Sequence, residues 1–225
     1  MTDFTLLDLA AVAVFLGAWI AYHLLTEVSS LRARSLNAAM DRFRAEWMEE
    51  MVGRDVRIVD TQIMASLQNG AAFFASTSIF AIGGSLAALG ATDTALEVFA
   101  TLPYAPATTG GAYDAKVLGL TAIFVYAFYK FGWSYRLFNY AAIMIGAAPP
   151  ATEAGTTRAR EAAARAGRMN AVAGRHFNRG LRAFFFALAY LGWFAGPWVL
   201  MATTACVLVV LLRRQLASDS LAVAG

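Results

Sequence analysis

Polar and small residues recur by threes and fours along one long apolar stretch of this chain. From Arg57 to Leu89 the sequence reads as a single helix apolar enough to enter a bilayer. Gln62, Ser66, Asn69, Phe73, Ser76, Phe80 and Gly83 share one of its faces, because a helix repeats every ~3.6 residues. In hydrocarbon, Gln62 and Asn69 would leave donors and acceptors unmet at a cost of several kcal/mol each, so this face is expected to meet protein or water rather than lipid.

The same pattern predicts three further spans. Leu6 to Leu25 has only Asp8 and His23 as ionisable groups, with Trp19 and Tyr22 near its far end as interfacial aromatics, and matches the ~20 residues a crossing needs. Val117 to Tyr129 opens a third apolar run, and the helix leaves the membrane near Lys130 to Arg136, both charges snorkelling at the interface. Ala183 to Leu212 is the last run, broken by Gly196-Pro197. Folding it at that break would leave arms of about fourteen residues, short of the ~17 needed, so a single kinked span is expected. The spans are then about 6–25, 62–89, 115–135 and 183–212, in a single membrane domain over 1–225.

Charge separates the linking segments. Residues 26–57 mix both signs, with Leu31, Met40, Phe43, Trp47 and Met51 spaced as an amphipathic helix that Gly53 should break. Residues 149–182 open on Pro149-Pro150 and carry a run of arginines on the helix-favouring TRAREAAARAGRM. The loop from Ala91 to Asp114, with Pro103 and Pro106, has Asp93 and Glu97 but no Lys or Arg. The positive-inside rule therefore places both basic segments in the cytoplasm and the N-terminus outside, in the periplasm.

Composition agrees with this class. Of 225 residues, 59% are hydrophobic and 15% charged, against ~25% charged in soluble domains, which points to an all-α integral membrane protein with about four transmembrane helices and cytoplasmic helical extensions. A lone cysteine, Cys206, excludes an internal disulfide and a cysteine-built metal site. Richness in Ala and Arg, with Lys116 and Lys130 the only lysines, suggests a GC-rich bacterial genome and hence the inner membrane.

Two groups of residues are candidates for function. Asp60, Gln62, Ser66, Asn69 and Ser76 could line a hydrated path for an ion or ligand, with Phe73 and Phe80 as constrictions, or could hydrogen-bond helices together. Lys130, Arg136, Asn139, His176, Asn178 and Arg179, with Arg57 and Arg182, form an interfacial basic and polar set suited to anionic lipid headgroups at the cytoplasmic face. His23 and His176 are the only histidines; without a third ligand or an HExxH motif they argue weakly for a metal or haem. No triad signature, phosphate loop or CxxC pair is present, so no catalytic residue, cofactor, metal or nucleic-acid partner is expected.

The blocks DTQIMASLQNGAAFFASTSIFAIGG, YKFGWSYRLFNY with the following IGAAP, and GRHFNRGLRAFFFALAYLGWFAGPW together resemble a family of bacterial and plant membrane proteins known as domain of unknown function five-nine-nine. The resemblance runs from about Leu6 to Leu212. It implies a multi-helix membrane protein and transfers no activity, but its blocks mark Asp60, Gln62, Asn69, Lys130, Trp133, Arg136, Asn139, His176, Asn178 and Arg179 for attention.

The expectation is a non-enzymatic structural or accessory protein that forms a homo-oligomer or docks on a larger membrane complex. A channel or transporter using the polar face of 57–89 is the main alternative. An interfacial lipid or quinone enzyme, or a haem protein, is the lesser one.

Overall fold

The computed structural model describes residues 4–101 and 108–224, which are helical with short connections and, among the described residues, without strands. The expected loop prolines, Pro103 and Pro106, lie outside the described residues. Helix α1 covers Leu6–His23 and continues through a wider turn, Leu24–Val28, into a 3₁₀ turn, Ser30–Arg34. Then come α2, Leu36–Val52; α3, Ile58–Leu89; α4, Thr92–Thr101; and α5, Gly110–Gly146. A 3₁₀ turn at Ala151–Glu153 leads to α6, Thr157–Ala195, followed by α7, Pro197–Leu216, and α8, Asp219–Ala224.

Local chemistry sets the ends. Thr5 and Asp8 form a reciprocal capping box on α1; Ser35, Thr109 and Thr156 cap α2, α5 and α6 by accepting from the backbone N–H of Ala38, Ala112 and Ala159. Gly53 closes α2 and Gly90 closes α3, as the sequence suggests. Four helical stretches are long and apolar enough to cross a membrane: 6–28, 58–89, 110–146 and 197–224. The protein is an all-α, multi-pass membrane protein.

The apolar run 183–212 is two helices, not the one kinked span expected. Gly196 adopts φ +131°, a left-handed conformation that suits glycine, and Pro197 starts α7 at its first turn. The chain folds back: Thr203 Oγ1 donates to the Ala189 carbonyl at 2.8 Å, and the Arg214 guanidinium lies 5.5 Å from the centre of the Phe185 ring. The α6 arm is short because its polar continuation is held by protein rather than by lipid. Arg213 and Arg214 thereby return to the basic end of the bundle.

Helices α3, α5 and α6 run through two packed zones. The first core joins α1, α5, α6 and α7 through Phe15, Phe131, Phe186, Tyr190, Trp193 and Leu200. The second joins α2, α3, α5 and α6 through Met48, Met51, Met64, Phe138, Ile145 and a row of α6 alanines that includes Ala159, Ala163 and Ala166. The outer side of α6 in this second zone carries Arg158, Arg160, Arg165 and Arg168, all exposed. Where the zones meet, Phe74 of α3 stacks on Phe131 of α5 at 5.2 Å. A Cβ on Gly180 would come within 2.6 Å of the Phe131 ring, so only glycine lets α5 and α6 approach there.

Candidate functional site

At the level where the zones meet, Glu27 gathers charge from two distant stretches. It follows the first apolar run on the continuation of α1, and Arg179 and Arg182, three residues apart, share a face of α6. Arg179 Nε donates to Glu27 Oε2 at 2.9 Å, with a second contact through Nη2; Arg182 Nη2 donates to Oε1 at 2.6 Å. Arg182 is only 6% exposed, lies 4.8 Å from the Tyr22 ring centre, and approaches His23 Nδ1 at 3.3 Å. The hydrogen bond to Glu27 raises the Arg179 pKa above its ordinary value, against the opposing effect of burial. Such a carboxylate held by two guanidinium groups is a clamp between α1 and α6. Lys130 lines a shallow crevice with His23, Arg179 and Arg182 and rests 5.0 Å from the Tyr126 ring centre.

His176 packs edge-on to Trp133, with centroids 6.5 Å apart. Burial, followed by the charges of Lys130, Arg179 and Arg175, pushes its pKa down to about 4, so its ring is neutral at pH 7. The two histidines have different partners: His23 turns to Glu27 at 3.3 Å, and His176 to Trp133. Asn178 donates to Asn37 Oδ1 at 2.9 Å, joining α6 to α2. Of the expected interfacial set, Lys130, His176, Asn178 and Arg179 come together around this junction. Arg136 instead donates to the Tyr140 hydroxyl at 2.6 Å on the exposed side of α5, and Asn139 accepts from Gln68 at 2.8 Å, tying α5 to α3.

Asp60 sits apart from the other path candidates. Fully buried, it accepts from Trp47 Nε1 at 2.7 Å and Arg54 Nη1 at 2.5 Å, and its second oxygen has no partner among the described residues. Arg57 beside it donates to the Ala148 carbonyl at 3.0 Å and to that of Pro149, satisfying backbone acceptors past the end of α5. Together these contacts lash α2, α3 and α5 at the basic end.

Gln62, Ser66, Asn69 and Ser76 are all exposed, on the side of α3 turned away from the rest of the chain. Phe73 and Phe80 on the same face are 65% and 79% exposed. Among the described residues no other element covers this face. Depth divides it further. Phe74 marks the junction level, and at 1.5 Å per residue Asn69, Ser66 and Gln62 lie about 8, 12 and 18 Å beyond it toward the basic end. Ser76, Phe80 and Gly83 lie on the apolar side.

The sequence reading missed Glu27 as the hub, together with Trp47 and Arg54 as partners of Asp60. The available signal was the pair Arg179-x-x-Arg182 on one helical face, facing a lone carboxylate at the end of an apolar run.

A family model described as protein of unknown function, DUF599, matches residues 10–220. No curated protein matches the chain, and no solved structure does. The chain belongs to the DUF599 family.

Proposed function

We propose that this member of the DUF599 family is a non-enzymatic accessory protein of the bacterial inner membrane that works as a pair of chains packed through the outer face of α3. The observation that carries the reading is that face. Helix α3 packs on α5 and touches α2, α4 and α6, while its outward side is open along its whole length. Beyond the junction that side exposes Ile58, Val59 and Ile63 beside Gln62, Ser66 and Asn69, a mixture that neither water nor headgroups satisfy well. From Thr61 to Gly90 the sequence carries no formal charge, so two copies can meet without like-charge repulsion. Gly70, Gly83 and Gly84 face open space and permit close approach of a second helix.

Orientation follows from the arginines: the zone built on α2 and the first half of α6 faces the cytoplasm, and Thr5 the periplasm. The basic surface then draws the chain toward anionic lipid at about 1 kcal/mol per charge. A conduit, the alternative reading, would form only between copies, where Gln62, Ser66, Asn69 and Ser76 of each chain would line it.

Cysteine substitution tests the pairing. In a Cys206→Ala background, Asn69→Cys, Ser76→Cys and Gly83→Cys are oxidised in native membranes. At least one should give a band at twice the monomer mass, and Leu188→Cys, exposed on α6, should not. Monomer at all three positions would overturn the pairing. Liposomes whose ion flux is abolished by Asn69→Leu would move the reading to a conduit.

A further inference from the structure

We propose that the crevice between α1, α2, α6 and α7 at the basic end is a binding site for a phosphate group. It stands independently of the pairing of α3, which lies on another side of the bundle.

The crevice has a volume of about 230 Å³ and is lined by Tyr22, Asn37, Arg44, Arg182, Arg214 and Gln215, among others, with no carboxylate in its wall. That volume is below the ~300 Å³ where pockets for drug-sized ligands begin, and it suits one compact headgroup. Its chemistry is that of donors. Three guanidinium groups and the Gln215 amide offer N–H groups in planar forks, which match the oxygens of a phosphate.

Two N–H groups on these side chains are buried and unpaired, although Arg182 is engaged elsewhere with Glu27. Gln215 is 8% exposed and Arg182 6%, yet Gln215 Nε2 and Arg182 Nε have no hydrogen-bond partner among the described residues. A buried donor without an acceptor is costly, so this arrangement calls for an acceptor that the described residues do not supply.

The local charge is also in excess. Arg44 and Arg175 share Asp41, at 3.1 and 2.9 Å, while Arg179 and Arg182 share Glu27. Arg214 makes no ion pair among the described residues and rests over Phe185. Five guanidinium groups thus surround two carboxylates. Burial holds the Arg44 guanidinium below its ordinary pKa, with Asp41 opposing and Arg175 adding to the effect.

The position fits a headgroup. Tyr22 ends the apolar part of α1, and Leu211 and Arg214 end that of α7, so the crevice opens where these helices leave the apolar zone. A phosphate there would come from an anionic phospholipid or from a soluble phosphorylated molecule.

Native mass spectrometry of the full chain in detergent separates the two sources. Phosphatidylglycerol, phosphatidylcholine and inorganic phosphate are each titrated against wild type, Arg214→Gln, Arg214→Lys and the remote control Arg158→Gln. The expected result is that Arg214→Gln weakens binding of the anionic probe by about tenfold, the worth of one charge-assisted bond. Arg214→Lys should recover part of the loss and Arg158→Gln should change nothing. Retention of phosphatidylglycerol that inorganic phosphate fails to displace assigns the site to lipid; binding of phosphate itself with the same variant order assigns it to a soluble ligand. Equal weakening by Arg158→Gln and Arg214→Gln would mean diffuse attraction and overturn the site, as would binding of neither anionic probe. Arg214 is exposed, so its replacement leaves the fold intact.

Discussion

In the apolar zone the interior is aromatic: Phe15 meets Phe186 edge-on at 5.6 Å, Trp19 stacks on Phe186 at 4.8 Å, and Tyr190 meets Trp193 at 5.4 Å. In the basic zone the same helices α5 and α6 pack on α2 and α3 mainly through Ala and Met, with Phe138 the one fully enclosed ring of that core among the described residues and arginines outside. The orientation proposed above, with the basic zone outside the bilayer, accounts for the difference. Where the outside is lipid, burying an apolar side chain gains little, and cohesion comes from shape, ring contacts and hydrogen bonds. Where the outside is water, burial drives packing even of small alanines, which let helices approach closely. Asp8, buried in the apolar zone and accepting from Trp193 Nε1 at 2.8 Å, is the kind of contact the first zone relies on.

The largest effect is expected where the zones meet. Phe131 is fully buried between Phe74, Phe177 and Phe184. Phe131→Ala should cost about 3–5 kcal/mol and lower a single cooperative thermal transition. Two separate transitions, with only one displaced, would show that the zones unfold independently and break the picture of one continuous bundle.

Next comes the clamp between the zones. Glu27→Gln leaves Arg182 buried without a counter-charge, and Arg179 a third exposed. A loss of about 2–3 kcal/mol is expected, below the value for a fully buried pair because water screens Arg179. Thermal melts in detergent would show it, and an unchanged midpoint would mean that water replaces the carboxylate.

Much of this was legible from pattern. Runs of apolar residues located α1, α3 and α5, and Gly53, Gly90 and Pro149-Pro150 marked ends. The break at Gly196-Pro197 was legible, but the fold-back there was set aside, because Ala183 to Ala195 is thirteen residues and looks too short to stand as an arm. Length rules assume lipid on all sides, whereas here Arg182 is neutralised by Glu27, and the helix continues into protein. The exposed face of α3 was legible as a stripe but not in depth: periodicity gives angle around a helix, and only the Phe74–Phe131 stack gives position along it. The Glu27 hub joins residues 152 positions apart, a distance over which local pattern carries no information.

A smaller effect separates the zones by pH. The folded pKa of His176, about 4, lies below the ordinary 6.5, so as pH falls the unfolded chain takes up the proton first. The stability linked to this residue is therefore whole above 6.5 and is lost as pH falls from 6.5 toward 4. His176→Gln should flatten the decline in melting temperature across that window and leave values at pH 7.5 to 8 nearly unchanged. A decline of equal slope in the variant would assign it to other groups.

The smallest effect belongs to the outer face of the basic zone. Glu161 and Arg165 form an i,i+4 pair on α6 at 3.5 Å, with side chains 63% and 56% exposed. Both are solvated in either state, so the pair gains ~0.3–0.5 kcal/mol at low salt. Glu161→Ala removes this but places a better helix former at the site, and the two changes nearly cancel. The melting temperature should stay within the error of measurement at low salt and in 0.5 M salt alike. Set beside Glu27→Gln, which removes the same chemical group from the other side of α6, this pair of variants measures how far burial, rather than the count of ion pairs, holds the helix in place. A Glu161→Ala loss approaching that of Glu27→Gln would mean that this surface is covered in the working protein.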